Sequence, residues 1–503
     1  MAGSSEDCIA PRPVDDGPKT DGGELDWLQQ SVAQLMTRMR IAVIFGSNKT
    51  TPGSVLYQTS NTRSWKSYEA VAQDIALSLE RIGFRHVQLM PDDMRLGDRL
   101  RREQIHMAWL NTGGVQGYNS AAHASSMLEM LGVPYVGHDP LAATTLDNKH
   151  AFKREAVCAG IPTAAFSTWN MANGPFRPDL NSRFKSAFGD YAGPFIVKPV
   201  SGRASLHVHV AEDRAALPDM VEAIYRATDN VVLIEKYLSG REFCIVVAGP
   251  ITSRQRRLVR GGEPFTLSAI ERAFDVDEKI FTSMDTRPIT KDRFKQLDPV
   301  RDGALLQRMR RLACEIYREF NLSSLIRLDL RSDEHGNLHV LEANPKPDLK
   351  QPAEGVTSLI SAGLSECGMD YDDLIFSLIA DRLDYLFTHR REAVGHILGL
   401  LEPAASAALA PTEVPSVMAQ CEDLAASAEH IKDAMSAIAG EGAATTSADQ
   451  VDAAIARINA AAAEINLLAL KSSFRALSDD AGAAHEPIEG AASKEEAGAA
   501  AAA

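Results

Sequence analysis

The sequence predicts an α/β protein of three lobes carrying a helical extension, and three observations support that reading. An apolar run, "MRIAVIFGS", is followed by a segment of helical apolar spacing and then by a second run, "RHVQLM", which together form a βαβ unit. Farther on, "LIRLDL" and "LHVLEANPKPD" alternate apolar and polar residues around a short spacer, as two paired strands do. A chain of 503 residues is also too long for one ordinary core, and length alone favours roughly three domains.

In chain order, residues 1–37 read as a polar leader compatible with disorder, with a short helix at "LDWLQQSVAQLMTRM". Residues 38–146 form the first lobe. Its βαβ unit continues through "MAWLNTGG", the helix "AAHASSMLEMLG" and "VPYVG" into an open sheet, whose ligand-facing loops belong at the carboxyl ends of the strands. Residues 147–230 predict a small α+β lobe from the helix "KHAFKREAVCAG", the strand "PFIVKPV", the turn "SGRAS" and the strand "LHVHVAED". Residues 231–390 form a third lobe that opens on "VVLIEKYLSGREFCIVVAG", contains the paired strands and ends in an amphipathic helix, "DYDDLIFSLIADRLDYLF". An Ala-rich extension, 391–478, holds two long helices able to pair with each other or with a protein partner, and 479–503 reads as a disordered tail.

Composition removes several functions. A net charge of −15 argues against nucleic acid or an anionic membrane as partner. No uninterrupted apolar run reaches the ~18 residues of a membrane span, and the polar start lacks a signal core. Six cysteines are scattered without metal-like pairing, as expected of a reduced, cytoplasmic chain. His207 and His209 could share one face of a strand, but two histidines without further ligands make a poor metal site.

The paired strands set Arg327, Asp329, Glu342 and Asn344 on the face away from the core. Oxygen-bearing side chains beside an arginine suit Mg2+ bridging nucleotide phosphates, because Mg2+ takes hard oxygen ligands and leaves positions for phosphate. An exposed hairpin face with surface salt bridges explains the same residues equally well. Lys149 at a helix start and Lys198 in "IVKP" would meet phosphate if the small lobe closes over the third, and backbone N–H groups of "SGRAS" could join them. Glu235 and Glu242, seven apart in "LIEKYLSGREF", suit an adenine amine and ribose hydroxyls.

The order of these parts resembles the ATP-grasp superfamily, and within it the D-alanine–D-alanine ligases, over roughly residues 38–386. Besides the residues above, "LGVPYVG", "AGIPT" and "EKYLSGREF" stand nearly as that family writes them. The resemblance implies an N-terminal open α/β domain, a small lid lobe and a C-terminal α+β lobe, binding ATP with Mg2+, two ions or Mn2+ in its place. It assigns Lys149 and Lys198 to the α- and β-phosphates, and Glu235 to the adenine with Lys236 and Leu238 lending backbone. It assigns Glu242 to the ribose, Lys279 to the γ-phosphate, Asp329, Glu342 and Asn344 to metal, and Arg327 to the tetrahedral intermediate. The implied reaction joins a small-molecule carboxylate to an amine through an acyl phosphate, and family members often form homodimers.

The sequence departs from the family in the amino-acid half of the site. Thr62 stands near the position of the family's amine-binding glutamate, Arg203 and Ala204 replace a serine pair with Ser205 the nearest hydroxyl, Ile280 replaces a tyrosine, and Asp348 a glycine. Two functions are therefore expected from this sequence. One is a ligase acting on a small acid other than D-alanine, or accepting acids more loosely than a D-alanine enzyme does, and the other is an ATP-binding regulatory protein that signals through its helical extension.

Overall fold

The structure, a computed structural model, describes residues 22–59, 65–203, 205–274, 293–353 and 357–401. The chain divides into two units, 1–408 and 409–503, and all the described residues lie in the first. Of the extension expected over 391–478 only residues 391–401 are described, with Val394, Ile397 and Leu401 buried; the rest of it and the tail, together with Thr62, Ala204, Lys279 and Ile280, lie outside the described residues.

Helix α1 (Gly22–Arg38) covers the segment expected as a short helix in the leader, and its Leu28, Val32 and Leu35 recur at helical spacing and are fully buried. β1 (Arg40–Gly46), α2 (Glu69–Ile82), β2 (His86–Asp92), α3 (Leu96–Arg102), β3 (Met107–Asn111), α4 (His123–Leu131) and β4 (Tyr135–Val136) build a parallel sheet of order β2-β1-β3-β4. Helices cover both faces, so β1 is buried on both sides and reads as a continuous apolar run. Gly83 ends α2 at φ 129°, where its hydrogen lies against Met36 and a larger residue would be strained.

After α5 (Pro140–Asp147) and α6 (Lys149–Cys158) comes the small lobe: β5 (Phe166–Trp169), α7 (Ser182–Phe188), β6 (Phe195–Pro199), β7 (His209–Ala211), α8 (Leu217–Thr228) and β8 (Val232–Lys236). Its antiparallel sheet has the order β5-β8-β6-β7. α8 buries Leu217, Val221 and Ile224 against it beside Phe184 and Phe195. Two expectations shift here. β8, placed in the third lobe by a boundary at 230/231, is hydrogen-bonded to β5 and β6 of the small sheet, so the chain crosses between sheets only at 237–241. Ser205 and His207 take left-handed φ values of 53° and 59°, so the strand expected from residue 206 is a turn until β7 begins at His209.

The third lobe holds β9 (Glu242–Ala248), the hairpin β10 (Ile251–Arg254) and β11 (Arg257–Arg260), β12 (Phe265–Arg272), β13 (Phe294–Gln296), α9 (Gly303–Glu319), β14 (Ile326–Ser332), β15 (Leu338–Asn344) and α10 (Tyr371–His389). Its antiparallel sheet runs β13-β12-β9-β14-β15. α6 and α9 cover one face of it through Phe152, Met309, Ala313 and Ile316. α10 is buried on most sides and does not divide into an apolar and a solvated face as expected, because it packs against α1, α2 and β10 and joins the parallel sheet to the large one. Among the described residues no helix is long and apolar enough to cross a membrane.

Candidate active site

The pairing of β14 with β15 builds the centre of the site. Arg327 lies opposite Asn344 and Asp329 opposite Glu342, and a bulge between Asp329 and Leu330 follows at once. Cross-strand partners have Cβ atoms about 5 Å apart, so the two carboxylates share one face at short range. A bulge adds local twist and commonly re-aims side chains beside functional sites. On the other edge of β14, Arg331 lies opposite Glu242 of β9.

Nine of the residues read from the sequence, Lys149, Lys198, Ser205, Glu235, Lys236, Leu238, Glu242, Asp329 and Glu342, line one cleft of about 840 Å³ between the small and large sheets, its open side included. Arg327 and Asn344 adjoin it through Asp329: the Arg327 guanidinium grips that carboxylate with two bonds, 2.7 and 3.0 Å, and Asn344 Nδ2 reaches the Arg327 carbonyl at 3.4 Å. Gly240 lets the crossover approach β14 closely, since a Cβ there would stand 2.7 Å from the carbonyl oxygens of Ser332 and Asp333.

The carboxylates do not stand alone. Glu235, almost fully buried, is clamped by Lys198 at 2.5 Å and by Lys153 at 2.6 Å. Burial would raise its pKa, but the two ammonium groups outweigh that and hold it below the usual carboxylate range. Lys153, with no exposed surface, also donates to Thr163, whose hydroxyl donates to the Val340 carbonyl of β15. Burial pulls Lys153 below its usual value, whereas for Lys198 the carboxylates Glu235 and Glu342 overcome burial and raise it. Glu342 meets Lys149 at 3.2 Å; despite burial, Lys149, Lys198 and Arg327 lower its pKa to about 2. Glu242 is held by Arg272 at 2.7 Å and Arg331 at 3.3 Å, and Arg272 also reaches Asp329 at 2.9 Å. The Lys236 N–H donates to the Ala165 carbonyl, and its ammonium lies 5.3 Å over the Tyr191 ring.

Lys153, Arg272 and Arg331 were not singled out in the sequence. Two had a signal. Lys153 is four residues from Lys149 and so shares its helix face, and Arg331 continues the i, i+2 series of Arg327 and Asp329. Arg272 had none, because its partners lie far away in the chain. Through these ion pairs six cationic side chains and four carboxylates of the described residues are linked, leaving a surplus of positive charge beside open space. Such a lining suits a polyanion. Beneath it Cys244 is buried and its thiol is pushed up to about 12, so it takes no part as a nucleophile.

Known proteins share this arrangement of sequence. Residues 157–380 match the family model described as D-ala D-ala ligase C-terminus. A D-alanine–D-alanine ligase of Gloeobacter violaceus is 25% identical over 310 residues, covering 62% of this chain and 92% of the relative. An uncharacterized protein of Sinorhizobium fredii is 26% identical over 287 residues, covering 57% and 75%. Among solved structures, the D-alanine–D-alanine ligase of Bacillus anthracis complexed with ATP aligns over 70% of this chain and 99% of its own, at 20% identity and a TM-score of 0.48.

Proposed function

We propose that this chain, D-alanine–D-alanine ligase-like in sequence and ATP-grasp in fold, is an ATP-dependent ligase that joins a carboxylate to an amine. The observation that carries the proposal is the surplus of cations around the cleft that Asp329 and Glu342 share as cross-strand neighbours. Lys149 and Lys198, on elements either side of the cleft, would take phosphate oxygens, with Lys279 reaching the γ-phosphate. Lys153 then has a positioning part, since it holds Glu235 while Lys198 turns to phosphate.

The donor set fits Mg2+: two carboxylates and one amide carbonyl are hard oxygen ligands. Among the described residues no cluster of three His, Cys, Asp or Glu is arranged to hold a metal, so phosphate oxygens would have to complete the coordination, as Mg2+ generally requires. Asp329, Glu342 and Asn344 would hold it, and the ion would neutralise charge building between the β- and γ-phosphates. Whether one ion binds or two, Arg272 must release Asp329 when the metal enters.

In the reaction a substrate carboxylate oxygen bonds to the γ-phosphorus as the bond from that phosphorus to the β-γ bridging oxygen breaks, giving ADP and an acyl phosphate. The amine nitrogen then bonds to the acyl carbon, the carbon–oxygen bond to phosphate breaks, and one ammonium proton passes to solvent or phosphate. The chain contributes positioning and charge neutralisation, with Arg327 beside the acyl oxygen.

A second reading, ATP binding without turnover, is favoured by one feature: Arg272 already spans Glu242 and Asp329. Phosphate release from Mg-ATP, measured with acids and amines offered singly and in pairs, separates the two. Release that needs a specific pair supports the ligase; tight ATP binding without pair-dependent release supports the second reading.

A further inference from the structure

The two arginines that hold Glu242 hold it unequally. Arg272 Nη1 lies 2.7 Å from one carboxylate oxygen, whereas Arg331 Nη1 lies 3.3 Å from the other, at the long end of the hydrogen-bond range. Glu242, Arg272 and Arg331 all line the cleft, beside Tyr237 and Leu238 of the crossover.

Arg331 is fixed in place by groups other than Glu242. Its Nε donates to the Gly240 carbonyl at 3.3 Å and its Nη2 to the Tyr237 hydroxyl at 2.9 Å, so two bonds tie it to the crossover. The guanidinium carbon lies 4.8 Å from the centre of the Tyr237 ring and 5.2 Å from that of Phe274, within the range of cation–π attraction. The long bond to Glu242 can therefore open while the guanidinium stays where it is.

A hydroxyl group needs two kinds of partner, an acceptor for its proton and a donor for a lone pair. A carboxylate supplies the first and a guanidinium only the second. Glu242 Oε2 and Arg331 Nη1 present both side by side, so a hydroxyl entering between them donates to the acid and accepts from the arginine. An apolar side chain in place of Arg331 would leave that lone pair unmatched in a buried setting.

We propose that Arg331 is a specificity-determining residue of the nucleotide site, donating to the ribose hydroxyl that donates to Glu242, so that the pair and not the acid alone selects a ribonucleotide over its deoxy forms. The proposal rests on the nucleotide reading of the cleft, and it is measured without turnover.

The experiment titrates ADP, 2′-deoxy-ADP and 3′-deoxy-ADP by calorimetry into the full chain with Mg2+. ADP should bind about thirtyfold or more tightly than at least one deoxy form, since a site built to bond a hydroxyl rejects the analogue lacking it. Arg331→Met should bring that ratio below about fivefold by weakening ADP, while the deoxy form keeps its parent affinity within about threefold. Arg331→Lys keeps the charge but not the fork, and its ratio should fall between the two. A merely structural part for Arg331 would weaken all three nucleotides alike, so an Arg331→Met ratio equal to the parent's would overturn the proposal. A parent that binds the three nucleotides equally would overturn it too. Should Arg331→Met fail to fold by circular dichroism, Arg331→Lys decides, an unchanged ratio again counting against the assignment. A parent that binds none of the three would instead overturn the nucleotide reading itself, and the assignment with it.

Discussion

Two ionic networks in this molecule both join carboxylates to arginines, yet they are suited to opposite tasks. At the start of α10, Asp373 accepts from Ser253 Oγ at 2.8 Å, from the Gln255 and Arg256 N–H groups at 3.1 and 2.9 Å, and from Arg256 Nη1 at 2.7 Å. Asp370 and Asp373 form a capping box, and Asp372 takes Arg81 at 2.6 Å and Ser78 at 2.7 Å. These bonds fasten α10 to α2 and to the β10–β11 hairpin. In the cleft the carboxylates meet lysines and arginines, not backbone donors, and the cations are in surplus beside open space. Carboxylates in both networks stay ionised against burial: Asp373 through its backbone and hydroxyl donors, Glu342 through Lys149, Lys198 and Arg327. A shifted titration therefore does not separate a site from a fastener. The mismatch of charge beside a void does.

The two networks should part most widely in Glu342→Gln. Pair-dependent phosphate release should fall about 10³-fold, on the order of 4 kcal/mol of transition-state stabilisation, with little change in thermal stability. Unchanged release would put the metal assignment elsewhere. Asp373→Ala should do the reverse, lowering the unfolding free energy in urea by about 3 kcal/mol because Ser253 and Arg256 lose their buried partner, while ATP affinity is kept.

Asp381 of α10 sharpens the contrast through pH. It accepts from the Ile251 N–H at 3.1 Å, and burial raises its carboxyl from the ordinary 3.8 to about 6. A folded value above the unfolded one contributes stability that is fully present below pH 3.8 and is lost as pH rises through 6. Asp381→Asn, with no charge to bury, should gain about 2 kcal/mol at pH 7 and flatten the profile between pH 4 and 6, as denaturant melts would show. The smallest effect concerns Arg272. Arg272→Gln should melt earlier in EDTA and recover with Mg2+ and a non-hydrolysable ATP analogue together, the rise exceeding that of the parent by about 2 °C. A variant whose melting in the presence of the analogue is indifferent to Mg2+ would remove Asp329 from the proposed metal site.

Much of the site was legible because its information is local. Alternation along one hairpin is enough to put Arg327, Asp329, Glu342 and Asn344 on one face, and the observed register agrees. Lys149 follows Asn148, which caps α6, and Lys198 is the last residue but one of β6, so both stand near element ends where they can face a cleft. Their partners were less legible. Glu235 and Glu242 read as acids open to a nucleotide, but Lys153 and Arg272 lie on elements far from them in sequence, and nothing in either segment announces the pairing. α10 was less legible for a related reason: its charged residues suggest a solvated face, while α2 and the β10–β11 hairpin supply them with partners.

By itself the sequence determined the elements, their order and the chemistry of each face, because the periods of 2 and 3.6 act over a few residues. The tertiary structure alone decided which charges meet. It pairs Arg272 with two acids, it gives Glu235 two lysines, and it brings Lys66, ahead of α2, and Lys346, beyond β15, onto one tyrosine ring. Coulomb interactions depend on distance in space and on burial, and neither is a property of any one segment.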